Sequence, residues 1–358
     1  MKPPPQRTIK TAILAFKTFA SVPVISPMFL FKTSCGIWSA VNGGDLRGAT
    51  FDVELVSLTK KSIRFPDEVT VHPTASIENA LRPDLIFIPS IGDSFMVDDF
   101  ARSIEPHRAF VPWITSCAAQ GTRVVSMCTG AFLLAATGLL DGRRATTHWF
   151  WAEEFRKMYP KVNLHPEQLI VDEGNVITSG AATSFNDLAL YLIELYCGRE
   201  VAILSSKLLA IDMRPRTQLP YTIFSGQKVH NDRQILQIQH FIESGSQQNP
   251  TLESLAKRAG MSQRNFDRRF RKATGEAPST YIQKLRVENA KRLLESTNDT
   301  VEEIADKVGY EDARSLRRLF YKHTALSPRS YRVKYGVPSA SQPSLVGTDR
   351  GRLTRSGP

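Results

Sequence analysis

The residues best suited to chemistry lie in one stretch, Thr122-Arg-Val-Val-Ser-Met-Cys-Thr-Gly-Ala-Phe-Leu-Leu-Ala135. An apolar run ends at Met127, Cys128 follows, and Gly130 with the small Ala131 permits a tight turn directly into a helix. A sulfur held at a helix N-terminus meets unsatisfied N–H groups that favour a thiolate or an anionic ligand. This is the arrangement of a nucleophile elbow with cysteine in place of serine. Hydrolysis would further require a base within hydrogen-bond reach, an orienting acid and donors for the oxyanion. His148 is the candidate base, although a histidine that closes an apolar strand beside Trp149 serves equally well as a structural residue. For Cys128 three roles stand open: a ligand-pocket or structural part, a redox or covalent sensor, and a hydrolytic nucleophile.

A second constellation is built of arginines. Thr251-Leu-Glu-Ser-Leu-Ala-Lys-Arg-Ala-Gly260 is matched 49 residues later by Thr300-Val-Glu-Glu-Ile-Ala-Asp-Lys-Val-Gly309. Beyond each glycine the offset becomes 50, pairing Phe266 with Leu316, Arg268 with Arg318, Phe270 with Phe320 and Tyr281 with Tyr331. Each copy reads as helix, glycine turn, helix, so a helix-turn-helix is present twice. On a helical wheel Phe266 and Phe270 face inward, leaving Arg264, Asp267, Arg268 and Arg271 outward. In the second copy Leu316, Leu319 and Phe320 form the buried stripe, with Arg314, Arg317 and Arg318 outside. Arginine can bond guanine bidentately and also grip phosphate, so the implied partner is double-stranded DNA, read in the major groove. Between the copies Ser279–Ser296 reads as one helix, and about 18 residues at ~1.5 Å each span ~27 Å, near the ~34 Å between successive major-groove faces.

Charge supports that partner. The net charge of +11 is uneven: residues 229–336 hold 20 Lys and Arg against 13 Asp and Glu, whereas residues 1–228 hold 23 against 21. The four cysteines, Cys35, Cys117, Cys128 and Cys197, are scattered without a CxxC pair, so reduced thiols are expected, with neither a disulfide framework nor a metal site. No cofactor is implied. No run approaches the length of a membrane span and no apolar leader follows the first residues, so a cytoplasmic protein without membrane contact is expected.

A chain of 358 residues suits two domains. The first half alternates apolar runs and helical patterns as an α/β sheet protein does, with strands expected at 10–16, 52–57, 85–88, 123–126, 168–172 and 176–178. Helices are expected at 110–120, 131–136, 150–158, 185–197 and 199–211. The apolar stretch 17–34, broken by Pro23 and Pro27, is assigned no element. The expected organisation is an α/β sensor domain at 8–213, a linker at 214–228, an all-α domain with two helix-turn-helix motifs at 229–336 and a disordered basic tail at 337–358.

The glycine turns at Gly260 and Gly309, the Thr274-Gly275 step and the ending Leu326-Ser-Pro-Arg-Ser-Tyr331 resemble the AraC/XylS family of bacterial regulators. The resemblance implies base-facing or backbone-facing roles for Gln263, Arg264, Asp267 and Arg268, and for Ala313, Arg314, Arg317 and Arg318. Upstream, the Cys128 stretch and Ala136-Thr-Gly-Leu-Leu-Asp-Gly-Arg-Arg-Ala-Thr-Thr-His-Trp149 resemble the class I glutamine amidotransferase-like domain of the PfpI type, which the GlxA group of AraC-type regulators carries ahead of its DNA reader. That resemblance implies a flavodoxin-like sandwich with a ligand pocket at Gly92, Cys128, Thr129 and His148, walled by Pro89-Ser-Ile-Gly92. Peptidase-like relatives carry histidine where Thr129 stands, and enzymes and sensors of this fold supply a carboxylate from a region where Lys17–Gly44 has none. The expectation is a non-enzymatic transcriptional regulator, an activator controlled by a small nitrogen-containing metabolite, acting as a homodimer with RNA polymerase as a further partner. Trp38, Trp113, Trp149 and Trp151 offer either core packing or a cage for a quaternary ammonium group. The competing reading is a cysteine-dependent amidase or protease-like enzyme using Cys128, or a redox sensor through the same sulfur.

Overall fold

The computed structural model describes residues 7–42, 49–92, 100–213, 217–228, 230–245 and 250–337. They form two compact units, Met1–Thr222 and Ile223–Pro358. The tail expected at 337–358 lies, apart from Val337, outside the described residues.

The first unit is built on a seven-stranded sheet. In chain order the strands are β1 (Arg7–Leu14), β2 (Ala49–Ser57), the short pair β3 (Ile63–Arg64) and β4 (Thr70–Val71), β5 (Ala75–Ser76), β6 (Leu85–Ile88) and β7 (Arg123–Met127). The short pair β8 (Arg144–Ala145) and β9 (Asn163–Leu164) follows, then β10 (Ile170–Asp172) and β11 (Val176–Ser179). The sheet order is β10-β11-β7-β6-β1-β2-β5, parallel throughout except for β10, which runs antiparallel on the β11 edge. Chain direction across the sheet reverses between β1 and β6, and in such sheets ligands bind beyond the carboxyl ends of the strands at the reversal. Central parallel strands are covered on both faces, which explains why β6 is the uninterrupted apolar run Leu-Ile-Phe-Ile, buried at all four positions. Leu85 and Phe87 enter one core with Ile9, Ile13, Val125 and Met127, while Ile86 and Ile88 enter the opposite one with Ala12, Leu14 and Val124.

The stretch left without an element forms the longest helix among the described residues, α1 (Val22–Val41). Pro23 occupies its first turn, where a missing N–H costs nothing, and Pro27 forgoes a single bond in the next turn. This corrects the expectation that no run reaches membrane length: α1 has 20 residues and a mean hydropathy of 1.3. Its apolar content has a local explanation, because Val24, Leu30, Phe31, Cys35 and Trp38 pack into the first core. The remaining helices of this unit are α2 (Phe100–Ile104), α3 (Val111–Ala119), α4 (Gly130–Ala136), α5 (Ala152–Met158), α6 (Phe185–Cys197) and α7 (Arg199–Leu208).

The second unit is helical: α8 (Arg233–Glu243), α9 (Leu252–Arg258), α10 (Gln263–Thr274), α11 (Pro278–Ser296), α12 (Val301–Lys307), α13 (Ala313–Thr324) and α14 (Pro328–Tyr335). It contains two small cores, and α11 serves both, giving Tyr281 to the first and Val287, Ala290 and Leu294 to the second. The repeat persists down to hydrogen bonds. Tyr281 stands edge-on to Phe270 with centroids 5.4 Å apart, and Tyr331 to Phe320 at 5.3 Å. Their hydroxyls donate to Glu243 at 2.6 Å and to Glu295 at 2.7 Å. The stretch expected as a linker is engaged in its described residues by the unit on its own side of the division. Gln218 is fully buried and donates to the carbonyl oxygens of Thr147, Pro166 and Gln168. Phe224 donates its amide to Glu288 at 3.1 Å and lays its ring against Tyr281.

Candidate functional sites

The reading helices α10 and α13 begin at capped N-termini. Ser262 accepts from the Asn265 amide at 3.4 Å and Asp312 from the Ser315 amide at 2.8 Å, so backbone donors that a turn would leave bare are satisfied. Phe266 and Phe270, and Leu316 and Phe320, are buried beneath them. Gln263, Arg264, Arg268 and Arg271 are exposed on α10, and Arg314, Arg317 and Arg318 on α13; Asp267 and Ala313 are half-buried. Ala313 packs against the second core, which leaves it little to present to a base.

The charges of these side chains are not equally available. Arg271 pairs with Asp267 at 2.9 Å along the helix, and Arg317 reaches back to Glu302 on α12 at 2.6 Å. Among the described residues Arg268 bonds only the neutral Asn265 oxygen, at 3.0 Å. Arg264 and Arg318 carry no ion pair among the described residues.

One functional side chain was not singled out by sequence reasoning. Arg269 turns away from the exposed row and grips Asp232 through two bonds of 2.9 and 2.7 Å, with a third to Gln234 at 2.7 Å. The guanidinium holds the Asp232 carboxyl below its usual range. Asp232 also caps α8, accepting from the Ile235 amide at 3.2 Å, so one carboxylate orients both the supporting helix and the reading helix. The available signal was Asp232 ahead of Ile235, Ile238 and Ile242, an N-cap before an apolar stripe.

In the first unit Cys128 sits at the carboxyl end of β7 with φ of 55°, a left-handed conformation that non-glycine residues rarely adopt. The turn is held by the Cys128 amide donating to Ser179 O at 2.7 Å and by the Thr147 hydroxyl donating to Cys128 O at 3.0 Å. Gly130 is required for close approach, since a Cβ there would run into the carbonyl oxygens of Ile88 and Pro89 at the end of β6. Thr129 plays a structural part. Its hydroxyl donates to Ile91 O at 2.7 Å and accepts from Ile91 N at 3.0 Å, fastening the elbow to the 89–92 loop. Gly92 in turn accepts from the Phe19 amide at 3.0 Å, joining that loop to the chain after β1.

The sulfur is not poised for attack. Cys128 is 1% exposed, and burial pushes its thiol up to about 12 against a smaller opposing pull from the adjacent Thr129. Burial also lowers His148 to about 4, so the imidazole is neutral near pH 7. Its Nδ1 is engaged in accepting the Phe150 amide at 3.2 Å, which caps the short turn at Trp149–Trp151. The tryptophans do not make one cage: Trp38 lies in the core on one face of the sheet, while Trp113 and Trp151 pack on the other. Among the described residues no group of three or more His, Cys, Asp or Glu gathers as a metal site.

The profile of the DJ-1/PfpI family matches residues 9–195, from β1 through α6 and across the whole elbow. The chain belongs to the DJ-1/PfpI family. This member carries a second domain, since a helix-turn-helix domain of the AraC type matches residues 255–334. Over 282 residues it is 28% identical to the HTH-type transcriptional regulator CdhR of Pseudomonas aeruginosa, covering 77% of this chain and 80% of the relative. Over the same length it is 26% identical to the HTH-type transcriptional regulator GbdR of that species, covering 77% and 73%. An isonitrile hydratase of Pseudomonas putida is 34% identical over 132 residues, 36% of this chain and 53% of the enzyme.

Proposed function

We propose that this protein is a transcriptional regulator in which the second unit reads DNA and the first unit binds a small effector. The observation that carries the reading is the duplicated helix-turn-helix whose two capped helices expose arginines while burying the aromatic residues behind them. Gln263, Arg264 and Arg268 on α10 and Arg314 and Arg318 on α13 are the proposed DNA contacts. Asp267, Arg271 and Arg317 are proposed contacts as well, since the exposed pairs of Arg271 with Asp267 and of Arg317 with Glu302 are weak enough for a phosphate to exchange, and Ala313 adds at most a methyl contact. The proposed effector is a small nitrogen-containing metabolite that meets the carboxyl ends of β6 and β7 around Gly92, Cys128, Thr129 and His148. The proposed output is activation by a homodimer that engages RNA polymerase. The effector must bind the active arrangement more tightly than the inactive one, because equal affinity shifts no population.

The test is a fluorescence-anisotropy titration of the full chain against duplex fragments from the region upstream of its own gene and its neighbours. Arg268→Ala is expected to weaken specific binding by ~1–3 kcal/mol. Unchanged affinity at both low and moderate salt would remove Arg268 from the interface. A thermal-shift screen of amino acids, betaines and polyamines tests the effector class.

A second reading, an enzyme acting through Cys128, has one observation in its favour, the identity to an isonitrile hydratase across part of the first unit. The buried, high-titrating thiol and the engagement of Thr129 and His148 in backbone bonds weigh against it.

A further inference from the structure

The sulfur chemistry of the first unit is better developed away from the elbow. Cys35 on α1 and Cys197, the last residue of α6, are 162 positions apart in sequence, yet their sulfurs lie 3.8 Å from each other. Both point at one acceptor, the Ala49 carbonyl at the start of β2, at 3.2 Å from Cys35 and 3.0 Å from Cys197. A shared acceptor draws the two thiols into one small volume, and closing the gap to a disulfide of about 2.05 Å asks for an approach of only about 1.8 Å.

We infer that Cys35 and Cys197 form a dithiol site that a hydroperoxide oxidises to an intramolecular disulfide stapling α1 to the end of α6. The two sulfurs have different roles. When Cys35 ionises, the Cys197 thiol turns its one proton from the Ala49 carbonyl to the Cys35 sulfur, and this bond with that from the Phe51 amide holds Cys35 below the usual thiol range against the cost of burial. Cys197, facing that sulfur from its buried position, is pushed up and keeps its proton. Cys35 as thiolate attacks one peroxide oxygen, the O–O bond breaks, and with one proton taken up the products are Cys35 sulfenic acid and water or an alcohol. The Cys197 sulfur then attacks the Cys35 sulfur, the S–O bond breaks, and the hydroxide leaves as water with the Cys197 proton. Two electrons pass from the two sulfurs to the peroxide. Cys117 and Cys128 have no such neighbour: burial raises both, and no thiol lies beside either among the described residues.

Trypsin places each cysteine in its own peptide, Cys35 in 33–47, Cys197 in 162–199, Cys117 in 109–123 and Cys128 in 124–143. The full chain is exposed to hydrogen peroxide, quenched under denaturing conditions, titrated for thiols and digested without reductant. The expected result is a fall from four thiols to two, with mass spectrometry showing peptides 33–47 and 162–199 linked and released by dithiothreitol. Cys197→Ser is expected to abolish the link, and the wild-type mass map stands by itself if that variant does not fold. Four thiols surviving a dose that oxidises glutathione completely would overturn the inference. So would a linkage through Cys117 or Cys128, or oxidation of Cys35 to the sulfinic acid without linkage. The readout is covalent and independent of DNA binding.

Discussion

Alkylation of Cys128 decides between an elbow that performs chemistry and one that merely keeps its shape. A thiol titrating at about 12 is ionised at pH 7.5 to roughly 3 parts in 100,000, whereas an ordinary one near 8.5 is ionised to roughly 9%, a ratio of about 3,000. The more basic thiolate is intrinsically the better nucleophile, and with a Brønsted slope of about 0.45 over about 3.5 pH units it recovers roughly 40-fold. The net expectation is alkylation about 80-fold slower than that of an unhindered cysteine, before any further slowing because the sulfur is 1% exposed. The assay is limited iodoacetamide labelling of the folded full chain, quenched at intervals and followed by the mass of peptide 124–143 against the same peptide in urea. The rate should climb about tenfold per pH unit from 7 to 9.5 without a plateau. Labelling of folded Cys128 at or above the unfolded rate, levelling off below pH 8, would refute the argument and restore the nucleophile.

Two further outcomes follow from the same geometry. Burial lowers His148 to about 4 from an unfolded value near 6.5, so as pH falls through that window the unfolded chain takes up a proton that the folded chain refuses. The His148 contribution to stability is complete above pH 6.5 and declines by roughly 3 kcal/mol on the way to pH 4, an upper figure that His148→Asn should largely remove from urea titrations at pH 7 and pH 4.5. In the second repeat Ala325 ends α13 with φ of 54°, where the first repeat places Gly275 with φ of 79°. Ala325→Gly relieves ~1–2 kcal/mol of backbone strain against ~0.5–1 kcal/mol of added unfolded-state entropy, so a net gain of about 0.5–1 kcal/mol should raise the urea midpoint of the helical signal. A lowered midpoint would show that the αL geometry carries no strain there.

Elements with a repeating or continuous apolar signal are legible in the residues themselves. β6 at 85–88 and α6 at 185–197 match their expected bounds, and the expected strand at 123–126 is one residue short of β7. The duplicated glycine turns likewise placed α10 and α13, because periodicity and caps are local properties of the chain. α1 was not legible, since Pro23 and Pro27 are local breakers whose cost depends on where a helix begins, and packing against the sheet decides that. α8 was missed although its isoleucines at 235, 238 and 242 recur on one face.

The site shows the same division. From the residues alone came the elbow, the arginine rows and a basic second domain, each a matter of residue type and spacing. Residue type could not say that Arg269 faces Asp232 while Arg268 does not, for the two are neighbours and only the placement of α8 distinguishes them. Nor could it say that Cys128 is buried with its thiol pushed up and that Cys35 meets Cys197, because burial and contact between segments 162 positions apart exist only once the sheet has assembled. What a side chain is made of is written in the chain; the dielectric around it and the partner opposite it belong to the fold.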